Sequence, residues 1–286
     1  MNCPLCHGRD ATFRVQAREA PVHECQVCGV LFLHPMPDEE RLQTIYQAHY
    51  YASWGGETWD KAVREQKKLN FRTHLQRIRP LITSKGRLLD VGAARGELVE
   101  TALELDFDAY GVERSSHGAA QAKKQLGTDR VLAARIEDAE LGTQPFDVIT
   151  LFDLIEHVTE PDRVLTRVVD HLAPGGVLYL VTPDSASISL RLMGRYWWHY
   201  KPEHLFYFNR TNLVRLLEKH GLMTLESGSN RKSLTLIYLL NQLATFEIPL
   251  ITPIARWLRP RLPDFLATLR FTFPSGELYL LAQKIP

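Results

Sequence analysis

Apolar and polar positions divide the chain into four stretches of different rhythm. From residue 1 to about 36, short apolar groups alternate with polar residues and cysteines in a strand-like pattern. From 37 to about 82 the spacing turns helical, and its later part is basic (Lys61, Arg64, Lys67, Lys68, Arg72, Arg77, Arg79). From 83 to about 230, short apolar runs alternate with helical periodicity, the signature of a parallel sheet with crossover helices. Residues 231–286 hold an apolar stretch broken by prolines and then a last apolar run.

In the third stretch the runs Arg87–Val91, Asp108–Glu113, 130–133, Phe146–Phe152 and 177–182 predict five strands, the third being weak. Helical patterns fall near 97–105, 116–126 and 161–172. A further helix at 209–220 precedes a sixth strand near 222–227, and 276–283 reads as a seventh. Connections between the parallel strands should be right-handed.

Composition narrows the function classes. The chain has 286 residues and 45% hydrophobic residues, enough to bury a core, which excludes wholesale disorder. Lys and Arg number 34 against 33 Asp and Glu, so no global charge favours nucleic acid. The start, MNCPLCHGRD, lacks the apolar segment of a signal peptide. The most apolar late stretch, 234–258, is interrupted by Asn241, Gln242, Glu247, Pro249 and Pro253, a poor match to the roughly 20 apolar residues of a spanning helix. A cytoplasmic protein is expected.

All four cysteines lie within the first 28 residues, as Cys3-x2-Cys6 and Cys25-x2-Cys28 with 18 residues between the pairs. Two such knuckles complete a tetrahedral thiolate site with Zn–S near about 2.3 Å. Gly29 follows the second pair, as knuckle turns often require. Four sulfurs close the shell, so the zinc is expected to be structural. Residues 1–36 are read as a zinc ribbon, 37–82 as a helical linker or cap, and 83–286 as the main domain, with 231–273 an insertion between its last two strands.

Residues 88–103, LLDVGAARGELVETAL, run strand, glycine turn, helix. Gly92 permits a sharp turn, Gly96 opens the helix, and a helix start offers free N–H groups. Glu97, in the first turn, would repel a phosphate, which suits a ligand carrying none at this point.

Asp90-Val91-Gly92-Ala93-Ala94-Arg95-Gly96 resembles the first motif of class I S-adenosylmethionine-dependent methyltransferases, departing from it at Ala94, where a glycine is usual. The segment 146–176, ending in Leu-Ala-Pro-Gly-Gly, is similar to the fourth-strand region of the same family, and within it to the ubiquinone-biosynthesis O-methyltransferase group. The likeness covers about 81–230 strongly and the last strand more loosely. It implies an α/β, Rossmann-like sheet of seven strands, mostly parallel with the last antiparallel, here behind a zinc ribbon. It implies S-adenosylmethionine as methyl donor. Asp90, Gly92, Ala94 and Gly96 would then lie by its methionine part, Glu113 at the ribose, and Asp138 with Ile136 at the adenine. Phe152 and Asp153 would border the sulfur.

Transfer from a sulfonium is a direct displacement, so the protein's contribution is alignment, with a base for a hydroxyl acceptor. Two histidines compete as that base. His157, in Asp153-x2-Glu156-His157, reads as a base, as part of a divalent-metal site with Asp153 and Glu156 on one helix face, or as a packed structural residue. His204 lies in the aromatic stretch 195–210 that is expected to wall the acceptor pocket, flanked by Arg191, Arg195 and Lys201. The expected acceptor is a small molecule or a glycan or lipid precursor, with O-methylation ahead. A sugar C-methyltransferase, an RNA-modifying enzyme and a non-catalytic binding protein are the alternatives. Neutral charge and a ribbon without Lys weigh against nucleic acid. The stretch 234–273 admits three readings: a peripheral membrane element, a homodimer contact or lid, or extra packing helices. The basic helix before residue 82 is read as a solvated face capping the cofactor site.

Overall fold

The structure, a computed structural model, describes residues 1–17, 20–38, 40–42, 57–82, 85–245 and 248–285. Most of the expected helix before residue 57 lies outside these residues, as do Glu247 and the Lys61 side chain.

Three strands begin the chain: β1 (Ala11–Gln16), β2 (Pro21–Cys25) and β3 (Leu31–Leu33). Helix α1 (Glu57–Ile78) leads to β4 (Arg87–Val91), α2 (Glu97–Glu104), β5 (Asp108–Glu113), α3 (Ser116–Leu126) and β6 (Val131–Ala133). Then come β7 (Phe146–Phe152), α4 (Pro161–His171), β8 (Leu172–Pro183), α5 (Ile188–Met193), β9 (Phe206–Tyr207) and α6 (Arg210–Lys219). The chain closes with β10 (Leu222–Thr235), α7 (Leu236–Thr245), α8 (Ile251–Leu258), α9 (Asp264–Ala267) and β11 (Arg270–Lys284).

Seven strands form one sheet in the order β10-β11-β8-β7-β4-β5-β6. Strands β6, β5, β4, β7 and β8 pair in parallel, while β11 runs antiparallel between β8 and β10. Alternate strand residues feed two cores, as the pleat requires. Leu88, Val148 and Tyr179 join Leu75 and Ile78 of α1 and Leu98 of α2 on one face. Leu89, Ile149, Leu178 and Leu180 join Val164 and Leu165 of α4 and Leu213 of α6 on the other.

The last two strands are longer than their sequence pattern predicts. They pair from Leu222↔Lys284 to Thr235↔Arg270, so the insertion is three helices at the tip of a long hairpin. Register shifts at Thr224/Glu226 and Asn230/Arg231 break the alternation that would have marked one continuous strand.

The basic helix α1 is not a solvated face. Arg64, Lys68 and Arg72, each four residues apart, meet Glu100 and Glu104 of α2. Lys68 Nζ lies 3.1 Å from Glu100 and 2.5 Å from Glu104, and Arg72 lies 2.5 Å from Glu104. Matching helical repeats of opposite sign hold α1 along α2. Further on, Phe71 stacks on Phe152 and His74 Nδ1 shares a 2.8 Å hydrogen bond with the Tyr179 hydroxyl.

The N-terminal strands are not a free-standing unit. Strand β9, from the main domain, pairs with β3 (Leu31↔Tyr207, Phe32↔Phe206) and completes a four-stranded sheet β1-β2-β3-β9. Cys3, Leu5, Val22 and Val30 belong to the same continuous core as Leu178 and Phe208.

Burial, with Lys232 and Arg77 nearby, holds the His74 imidazole down to about 4. The native state therefore refuses a proton that the unfolded chain accepts below about pH 6.5. Unfolding free energy from urea titrations should fall as pH drops from about 6.5 toward 4, with a shallower fall in His74→Phe. Equal slopes in both proteins would contradict this.

Candidate functional site

The carboxyl ends of β4, β5, β7 and β8 form a rim, where ligands bind in open α/β sheets. After Val91 the chain turns beneath β5, with Gly92 and Ala93 both donating N–H to the Val112 carbonyl (2.8 and 3.0 Å). Gly92 has φ +84°, and a Cβ there would stand 3.0 Å from Leu154 Cδ1. Ala94 is left-handed (φ +47°) despite its methyl group. Its N–H donates to Glu113 Oε2 at 2.8 Å, a charge-assisted bond that offsets the strain of about 1 kcal/mol or more. Gly96 (φ +81°) precedes α2, where a Cβ would press on Ala122 and Leu126 at 3.2 Å. One essential glycine escaped the sequence reading: a Cβ on Gly111 of β5 would fall 2.6 Å from Ala93 Cβ. Its signal was a glycine inside a strand, which marks close backbone approach.

Acidic groups gather around this turn. Asp90 is 4% exposed and accepts from Thr150 Oγ1 at 2.7 Å. Burial, together with the negative charges of Glu113 and Glu97, pushes it up to about 7. Glu113 ends β5, accepting from Ala94 and from Ser115 N–H (2.7 Å), and burial raises it. Glu97 is also buried, 3.9 Å from Lys67 Nζ. Such a group of carboxylates disfavours an anion and favours a cation. Ile136 is buried in the core, whereas Asp138 faces outward, 64% exposed and 3.9 Å from Arg163. After β6 the inward carboxylate is Glu137, whose side chain is 7% exposed and pairs with Arg135.

At the end of β7, Phe152 is held edge-on by Tyr179 and His74 and face-on by Phe71. Asp153 is left-handed (φ +50°), so the helix expected through Asp153, Glu156 and His157 does not form. Only a single 3-10 turn, Ile155–His157, follows. Asp153 points away from it, 52% exposed and 3.6 Å from Lys232 Nζ. The groups brought together are Glu156, His157 and His204, with ligand-capable atoms within 4.8 Å of one another. A carboxylate and two imidazoles suit a borderline divalent cation.

Leu205 N–H donates to the Glu156 carbonyl at 2.7 Å, which locks the two segments together. Glu156 Oε2 accepts from Thr182 Oγ1 at 2.8 Å, while Oε1 has no partner among the described residues. Burial and the Asp153 charge push its carboxyl well above the usual range. The His157 and His204 rings meet edge to face at 4.6 Å. Burial holds His157 down to about 4, and burial with His157 and Lys201 holds His204 well below the usual imidazole range. His204 Nδ1 has no hydrogen-bond partner among the described residues. Most of the aromatic stretch expected to wall a pocket is core instead: Trp197, Phe206, Tyr207 and Phe208 are at most 2% exposed. Arg191, Arg195 and Lys201 are exposed.

A second group had no sequence signal, because it depends on the hairpin. Lys232 of β10 reaches Glu277 of β11 at 2.6 Å, and Asn230 (2.7 Å) and Ser275 (3.0 Å) donate to the other oxygen of Glu277. Burial alone would raise Glu277, but Lys232 and His199 hold it below its usual range. The ammonium thus links Glu277 to Asp153 at the rim.

In the N-terminal sheet, the four cysteine sulfurs also lie within 4.8 Å of one another. Cys3 and Cys28 are 3.8 Å apart and Cys6 and Cys25 3.5 Å apart, close to the edge of about 3.8 Å of a tetrahedral zinc–thiolate site. Cys28 N–H points at Cys25 Sγ (3.4 Å), and Gly29 N–H closes the knuckle on the Cys25 carbonyl (2.8 Å).

Comparison with known proteins agrees with this geometry. The methyltransferase-domain family profile matches residues 63–227. The mitochondrial ubiquinone biosynthesis O-methyltransferase of Schizosaccharomyces pombe is 30% identical over 136 residues, 45% of this chain and 49% of that protein. The ubiquinone biosynthesis O-methyltransferase of a Caulobacter species is 33% identical over 113 residues, 37% of this chain and 44% of that one. The chain thus spans about half the length of the curated relatives it matches. Among solved structures, magnesium protoporphyrin IX methyltransferase of Synechocystis, with S-adenosylhomocysteine bound, superposes with TM-score 0.54 at 11% identity, covering 86% of this chain and 100% of that one. A Burkholderia thailandensis 1,6-didemethyltoxoflavin-N1-methyltransferase gives 0.52 at 14% identity, covering 96% and 99%. These likenesses share the Rossmann-like sheet, and with a profile that spans more than half of its length, the chain belongs to the methyltransferase-domain family.

Proposed function

We propose that this protein transfers a methyl group from S-adenosylmethionine to a hydroxyl of a small molecule or a glycan or lipid precursor. The observation that carries the reading is the rim itself. A glycine turn at the start of α2 is ringed by Asp90, Glu97 and Glu113, a setting suited to a nucleoside that bears cationic groups and no phosphate. Curated relatives named as O-methyltransferases support oxygen as the acceptor.

In this reading Asp90 and the turn at Gly92 and Ala94 serve the methionine part, Glu113 the ribose, and Phe152 with Asp153 the sulfur. Ile136 is assigned as apolar support for the adenine, with Asp138 beside it at the ring's outer, exposed edge. The acceptor oxygen bonds to the methyl carbon as the carbon–sulfur bond breaks, and the hydroxyl proton passes to a base. His204 is assigned as that base because its Nδ1 lacks a hydrogen-bond partner among the described residues. His157 and Glu156 stand beside it to orient the ring and share the proton. The same three groups, rather than Asp153, are the ligand set for a divalent cation. His204→Ala should lower kcat by about a hundredfold or more while S-adenosylmethionine affinity changes less than about twofold. Unchanged turnover would remove His204 from the chemistry.

The four cysteines are assigned a structural zinc, which would hold the knuckle that starts β3 and, through β3–β9 pairing, the backbone beside Glu156. Metal analysis should give about one zinc per chain, lost in Cys25→Ser together with thermal stability. Protein expressed with zinc but purified metal-free and equally stable would overturn the assignment.

A further inference from the structure

The hairpin tip carries an unusual surface. Helix α8 packs on α7 through a narrow face of small residues, Thr252 and Ala255, against Leu240 and Ala244. Its opposite face is large, apolar and exposed: Ile254, Trp257 and Leu258 follow the i, i+3, i+4 spacing of one stripe, and Leu250, just before the helix, is exposed as well. Leu250 is 80% exposed and Trp257 59%; beyond the helix, Phe265 is 72% exposed and Phe271 46%. Between 248 and 276 the chain has four arginines (Arg256, Arg259, Arg261, Arg270) and one acid, Asp264. All four arginines are exposed. The Arg261 guanidinium lies over the Trp257 ring at 4.8 Å and donates to the Trp257 carbonyl at 2.8 Å, and Arg256 Nε is tied to the Ala244 carbonyl at 3.0 Å.

Soluble monomers rarely leave so continuous an apolar stripe in water. What covers it must accept both bulky hydrocarbon and a surplus of three positive charges. A second copy meeting the same face across a twofold axis would bring eight arginines together against two acids, which disfavours self-association. A bilayer surface with anionic headgroups meets both demands: acyl-chain boundary for Ile254, Leu258 and Phe265, headgroup depth for Trp257, and negative charge for the arginines. Among the described residues no helix is long and apolar enough to cross a membrane, so the element would lie on the surface. We propose that the α8–α9 tip is a docking surface for an anionic lipid bilayer. The tip grows directly from Lys232 and Ser233, which contact Asp153 and, through Gln66 and Asn70, helix α1, so docking would set the rim close to the lipid.

The test is sedimentation of the full chain with vesicles of phosphatidylcholine alone or with roughly one third phosphatidylglycerol. Binding is expected to the anionic vesicles only, and to weaken with salt. Arg259→Glu with Arg261→Glu should weaken it at least about tenfold. Ile254→Asp with Phe265→Asp should abolish it while leaving thermal unfolding unchanged, since both side chains are exposed. Three results would overturn the proposal: no binding to either vesicle, equal binding by the variants, or a dimer in sedimentation velocity that Ile254→Asp dissociates. The last would make the tip an interface between copies. The readout is independent of methyl transfer.

Discussion

A carboxylate taken out of water must be hydrogen-bonded, neutralised or paired, and the carboxyl-terminal rim of the sheet is organised by that demand. Asp90 leans on Thr150 of the neighbouring strand, Glu113 on two backbone amides, Glu156 on Thr182, and Glu277 on Lys232, Asn230 and Ser275. Most of these partners come from another element, so the acids fix the relative positions of strand ends. The demand also explains the left-handed Ala94, which aims its N–H at Glu113. Asp90 and Glu113 remain raised despite their bonds, because burial strips them of water and the charges of Glu113 and Glu97 add to the effect at Asp90. A cationic ligand relieves that excess.

The second organising contact is backbone to backbone. Strand β3 leaves the cysteine knuckle, pairs with β9, and Leu33 N–H bonds to the Leu205 carbonyl at 3.0 Å while Leu205 N–H bonds to the Glu156 carbonyl. The N-terminal sheet is therefore part of the scaffold under the Glu156–His157–His204 cluster. A perturbation at the knuckle has a short, continuous route to the groups assigned to proton transfer. On the opposite flank, α1 is clamped to α2 by paired charges and to Phe152 by Phe71 and His74.

Strands β4, β5 and β7 were legible because each is a short, mostly apolar segment ended by a turn signal, and the glycine turn because Gly92 and Gly96 suit its positive φ. The cysteine pairs were legible from spacing alone. What failed did so for physical reasons. The sequence pattern ends the sixth strand near 227 because a bulge at Asn230/Arg231 interrupts the alternation and much of the strand is polar. Asp153, Glu156 and His157 have helical spacing, but one left-handed residue at Asp153 sends its side chain to Lys232, a partner nearly eighty residues away. His204 meets His157 across a tertiary contact that includes the Leu205–Glu156 bond, and the pairing of LFL with FY is a tertiary choice that neither segment announces. The aromatics near 200 read as a pocket wall because burial against a docked second sheet leaves no trace in local pattern.

A cation bound among the acids around the glycine turn would ease their mutual repulsion. Burial pushes Asp90 up to about 7, and a bound sulfonium and ammonium should favour its ionised form. The decisive measurement is calorimetric titration with S-adenosylmethionine at pH 7 in buffers of different ionisation enthalpy. Micromolar binding with release of a fraction of a proton, smaller with S-adenosylhomocysteine and absent in Asp90→Asn, is the predicted result. No binding by folded protein, or binding whose enthalpy is the same in every buffer, would contradict it.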